Sequence, residues 1–164
     1  MKRLLLPALL AFGLLTSTPA TFGADAKAEL QELVTKEQDP KLREKLAFDL
    51  SINSDPAAID ELLKMAHTDA SPQVRGQAIF WLAQKAGKKA SASITAAIEN
   101  DPDMQVKKKA VFALSQLPQD EGIPQLMHVA DNNSNPAIRK EAIFWLGQSK
   151  DPRALEYLEA ILKR

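Results

Sequence analysis

QAIFWLAQ (residues 77–84) and EAIFWLGQ (residues 141–148) are near copies, offset by two periods of 32 residues. Outward from them the same interval aligns Leu42, Val74, Val106 and Ile138 without gaps, each followed by a cation: Arg43, Arg75, Lys107 and Arg139. Leu50, Leu82, Leu114 and Leu146 keep the interval, as do Ala47, Ile79, Val111 and Ile143. A second block follows each first one. Leu62, Ile94, Leu126 and Leu158 share a phase there, with Leu30 one period earlier; Ala66, Ile98, Ala130, Leu162 and Val34 complete the stripe. A period held over this many columns is the signature of a repeat architecture.

Each block reads as a helix, because phases 42, 46 and 50, and phases 59, 62, 63 and 66, fall on one face at about 100° per residue. Start signals mark the boundaries. Asp39-Pro40, Ser71-Pro72 and Asn135-Pro136 place a capping residue before a proline, and Asp55-Pro56 and Asp151-Pro152 do so before second helices. In the third repeat Asp103 takes the capping phase, and in the second Gly87-Lys88 replaces the Asp-Pro start. No stretch shows sustained strand alternation. The expectation is an all-α, right-handed α-α superhelix of nine helices. A lone helix at about 26–37 precedes four pairs, in repeats at about 39–70, 71–102, 103–134 and 135–164. Neither helix of a pair buries its apolar face alone, so pairs stack into a solenoid.

Residues 1–24 read as a secretory signal peptide. Lys2 and Arg3 precede an apolar run from Leu4 to Leu15, and a small-residue stretch follows. The run is shorter than the ~20 residues of a membrane span. Periplasmic or secreted localisation follows, with residues 25–164 as the working domain and no stable membrane insertion once the leader is removed. The chain has 21 acids and 21 Lys plus Arg. Lys2 and Arg3 lie in the leader, so residues 25–164 carry a net charge of −2. That balance argues against a nucleic-acid binder. With no cysteine and only His67 and His128, disulfides, thiolate sites and most metal chemistry are excluded. Neither a Gly-x-Ser-x-Gly context nor a glycine-rich phosphate loop occurs. No cofactor, no metal and no catalytic residue is expected.

The repeated pattern Asp/Asn-Pro-x-Val/Ile-Arg-x-x-Ala-Ile-Phe-x-Leu-Gly/Ala, followed by Asp-Pro-x-Ala-Leu/Ile-x-x-Leu, resembles short HEAT repeats of the phycobilisome-lyase type over about residues 37–164. The resemblance implies the solenoid fold and a scaffold or adaptor role toward another protein. It also implies an alternative, a lyase- or chaperone-like accessory of the bilin-lyase type, against which the leader counts. A structural part of a larger envelope assembly is a third possibility. HEAT-repeat metal hydroxylases resemble this fold too, but they use paired His-Glu motifs that this chain lacks.

Two columns stand out. The first is Arg43, Arg75, Lys107 and Arg139, in first turns where positive charge opposes the helix dipole. Glu37, Asp69, Asp101 and Asn133 lie six residues upstream, and the two columns are expected to form a structural ladder tying successive repeats. The second is aromatic: Phe48, Phe80, Phe112 and Phe144 share one phase. With phase 42 at 0°, that phase falls near ~240°, opposite the core. Trp81 and Trp145, one residue on, fall near ~340° and are expected to sit between adjacent first helices. These six residues are the candidate partner-binding stripe, unless each ring tucks sideways against its neighbour as core. Lys108 and Lys109 are expected to face solvent, and both histidines to lie near second-helix ends at the surface.

Overall fold

The computed structural model describes Glu32 and residues 36–53 and 55–163. The expected leader (1–24) lies outside these residues. So does the lone helix (about 26–37), apart from Glu32, Lys36 and Glu37, of which the first two are helical. Eight helices follow and, among the described residues, no strand. They are α1 (Pro40–Ile52), α2 (Pro56–Thr68), α3 (Pro72–Ala86), α4 (Lys88–Asn100), α5 (Met104–Ser115), α6 (Gln119–Asn132), α7 (Pro136–Gln148) and α8 (Pro152–Leu162). Odd-numbered helices pack on one another in one layer (α1 on α3, α3 on α5, α5 on α7). The even-numbered helices form the second layer, and each pair packs internally.

The capping residues explain where the helices begin. Side chains of Asp39, Asp55, Asn135 and Asp151 accept from the backbone N–H two residues on, and Ser71 from Val74 N. Each stands before a proline that needs no hydrogen-bond acceptor. Asp103 accepts from both Gln105 N and Val106 N, so α5 starts at the capping phase and not at Pro102. Before α4, Gly87 has φ +48°, in the left-handed region that favours glycine, and offers no side-chain cap. α6 also lacks a side-chain cap and carries Pro124 inside it, which removes a backbone donor.

The repeat phases form the core. Leu50, Leu82, Leu114 and Leu146 are buried, as are Ala78, Ala110 and Ala142 at phase 46 and Leu62, Ile94 and Leu126 at phase 62. At phase 66, Ala66, Ile98 and Ala130 are buried, whereas Leu162 is 87% exposed. Leu42, Ile143 and Leu155 are also exposed. All four lie in the first or last described repeat, where one flank lacks the described neighbour that covers the same phase inside the stack. Within the third pair the backbones come close at Gly122, where a Cβ would stand 2.4 Å from the Leu114 carbonyl oxygen. Only glycine fits there without moving α6 away from α5.

Candidate functional site

The six rings named from the sequence form one continuous ladder across the odd-numbered helices. Phe48 of α1 meets Trp81 of α3 with ring centroids 5.1 Å apart, and Trp81 meets Phe80 edge-on at 4.8 Å. Phe80 stacks on Phe112 of α5 at 5.9 Å with planes 3° apart. Phe112 then meets Trp145 of α7 at 4.7 Å, and Trp145 meets Phe144 at 5.0 Å. These are favoured aromatic-pair geometries. Both tryptophans sit between adjacent first helices and pack against the core from its edge. The phenylalanines combine the two arrangements left open by the sequence. Phe80 and Phe112 are half-buried against each other, whereas Phe48 and Phe144 remain 43% and 53% exposed. The Trp145 indole N–H donates to Glu141 Oε1 at 3.0 Å; the Trp81 indole nitrogen is buried without a partner, and Gln77 holds the equivalent of the Glu141 position.

The arginine ladder ties the loops at the other end of these helices. Arg75 donates from Nε and Nη2 to both carboxylate oxygens of Asp101, at 2.7 and 2.9 Å, and from Nη1 to the carbonyls of Asp69 and Ala70. Arg43 makes the same fork to Asp69, at 2.8 and 2.9 Å, with Nη1 on the carbonyls of Glu37 and Gln38. Each arginine therefore takes a backbone carbonyl from the residue six positions upstream, and its carboxylate comes from the next acid in the column, 26 positions downstream. The upstream Glu37 carboxylate instead accepts from Asp39 N. Hydrogen bonding to Asp101 holds the Arg75 guanidinium pKa up against its burial. Burial pushes the Asp101 carboxyl up, but hydrogen bonds from Arg75 and from Asp103 N–H, with the guanidinium charge, outweigh it and hold it below the usual carboxylate range.

The third repeat breaks the clamp. Lys107 stands for arginine and Asn133 for aspartate, and Lys107 Nζ turns to the Glu99 carbonyl at 2.7 Å. Arg139 keeps only the upstream half, with Nη1 on the carbonyls of Asn133 and Ser134. Where the clamp is missing, α4 and α6 flank a groove of about 560 Å³ whose lining includes Ile98, Lys107, Gln125, His128 and Asn133.

One polar column escaped the sequence reading. At the phase of residue 61, α4, α6 and α8 each reach back to the preceding even helix. Ser93 Oγ pairs with His67 Nε2 at 2.9 Å, Gln125 Oε1 accepts from Ser91 and Thr95, and Tyr157 Oη donates to Asp131. The available signal was a run of hydrogen-bonding residues (Glu61, Ser93, Gln125, Tyr157) inside an apolar stripe. Their differing identities hide it from a search for repeated letters. His67 and His128 are exposed and near the ends of α2 and α6. Among the described residues no group of three His, Cys, Asp or Glu is placed to hold a metal, and no helix is long and apolar enough to cross a membrane.

Comparison with known proteins bears on the fold. The family model described as HEAT repeats matches residues 59–130 and 91–164. No curated protein matches the chain. Among solved structures, the chain is similar to the complex of CpcE and CpcF of phycocyanin lyase from Nostoc sp. PCC7120. The TM-score is 0.57 at 18% identity, over 86% of this chain and 91% of the other. At that identity the likeness speaks for the fold alone.

Proposed function

Because the chain belongs to the HEAT-repeat family, we propose that it is an exported adaptor that holds another protein on the aromatic ladder of its odd-numbered helices. The observation that carries this is continuity: rings from four repeats touch in one unbroken series, and both ends of the series are open to solvent. Contiguous exposed apolar surface marks interaction sites, and aromatic anchors dominate their energetics. The role is contact without turnover, with neither cofactor nor nucleic acid. The solved neighbour is itself a complex of two proteins, and protein pairing is the property we carry over. That neighbour's lyase identity favours a second reading, a lyase- or chaperone-like accessory; the secretory pattern of residues 1–24 sets the adaptor ahead of it.

Two measurements test these claims. N-terminal sequencing of the exported protein should begin between Thr21 and Lys27; intact Met1 in the membrane fraction refutes export. Phe48→Ala with Phe144→Ala removes the two most exposed rings. The double variant should remain folded with a modestly lowered thermal midpoint, because each ring is about half in water and the two together lose about 2 kcal/mol of burial. Affinity capture from an extract of the source cells should lose the proteins that the parent chain retains. Equal capture by both chains would show that the ladder is not the docking surface.

A further inference from the structure

The aromatic ladder has a cationic rail beside it. Lys108 precedes Phe112 by four residues and Lys140 precedes Phe144 by four, so each lysine lies one turn from its ring on the same face. The corresponding position before Phe80 is Gly76, which has no side chain. Lys109 of α5 fills that place: a Cβ built on Gly76 would stand 2.6 Å from Lys109 Cδ and 3.5 Å from its Nζ. Three successive rings, Phe80, Phe112 and Phe144, therefore each have a lysine in the slot one turn upstream, although the sequence provides it directly in only two repeats. Lys41 and Lys45 add charge at the α1 end, against Glu44 and Asp49. Glu141, the remaining acid of this face, is engaged by the Trp145 indole. The face thus carries five lysines against three acids, while residues 25–164 as a whole are net negative.

We propose that the ladder and rail together receive an acidic amphipathic helix of a partner protein, an inference that rests on the docking role argued above. A second copy of this chain is a poor occupant, because it would set one rail of lysines against another. An extended strand is also a poor occupant, since among the described residues there is no sheet edge to satisfy its backbone. A helix satisfies its own backbone. Packed helices lie about 8–10 Å apart, and a partner helix crossing them at 1.5 Å per residue advances about five to seven residues per repeat. Its apolar anchors and its acids would therefore each recur about once in two turns, one row over the rings and one over the lysines.

Both tryptophans of the chain lie in the ladder, so intrinsic fluorescence reports on this face directly. The probe is an alanine-based helical peptide of about 21 residues, three such spacings, with leucine and glutamate rows on one face; a matched peptide has lysine for glutamate. The glutamate peptide should shift the tryptophan emission and bind about tenfold or more tighter than the lysine peptide. Added salt should weaken it, and Lys108→Glu with Lys140→Glu should reverse the preference. Equal binding of both peptides, insensitive to salt, overturns the acidic-partner inference and leaves the docking role standing. Binding of neither also overturns it, and the capture experiment with the Phe48 and Phe144 variant then decides the docking role separately. Tighter binding of a thymidine oligonucleotide, or of phosphatidylglycerol vesicles, than of the glutamate peptide assigns the rail to phosphate and overturns it as well.

Discussion

Leu114→Ala should cost about 2–5 kcal/mol, read as a lowered denaturation midpoint in urea, the range for truncating a fully buried leucine. Leu114 has no exposed surface, and its carbonyl lies against Gly122 where α5 and α6 approach closely. Because the backbones already meet at Gly122, α5 and α6 cannot move closer together to fill the space. In a solenoid each repeat draws stability from its neighbours, so loss in the third repeat also weakens the second and fourth. A cost below ~1 kcal/mol would mean that Leu114 is not core and that the repeat register is wrong.

Arg75→Ala should destabilise by about 3–5 kcal/mol, the range for removing one partner of a buried ion pair. The change strands the Asp101 carboxylate, which is 91% buried, and removes the donor from the Asp69 and Ala70 carbonyls. Lys107→Ala breaks only one hydrogen bond to a carbonyl and should cost about 1 kcal/mol or less. Equal costs at the two positions would show that the fork to Asp101 adds nothing. The same pair gives an acid dependence. The Asp101 carboxyl is held below its ordinary value in the folded chain, so its contribution is present above the usual carboxylate pKa of about 3.9. It is lost as the pH falls through the lower folded value. Asp101→Asn should be less stable than the parent at neutral pH and should show a shallower loss of stability in acid.

How much was legible beforehand follows from the range of the forces involved. Helix starts rest on hydrogen bonds spanning two or three residues, so Asp39, Asp55, Asp103, Asn135 and Asp151 could be read as caps from their positions alone. Helix geometry alone turns the phenylalanine column away from the core, but that Phe80 and Phe112 lie half-buried against each other depends on the neighbouring helices. The columns of the arginine ladder were also visible, but their pairing was not. Asp69 lies six residues before Arg75 and 26 after Arg43, and only the stacking of α2 beside α1 and α3 gives its carboxylate to Arg43 and its carbonyl to Arg75.

By itself, the sequence determined the 32-residue period, the paired helices, most of the core and the existence of an aromatic column, because each is periodic or local. The tertiary structure decided what depends on the distance between helices far apart in the chain. Phe80 and Phe112 stack because α3 and α5 approach closely enough to bring their rings to 5.9 Å. Lys109 completes the row of cations because the missing side chain of Gly76 leaves room for its stem. The groove between α4 and α6 lies where Lys107 and Asn133 replace the arginine–aspartate clamp. Such distances come from the packed volumes of many side chains at once, and no short stretch of sequence encodes them.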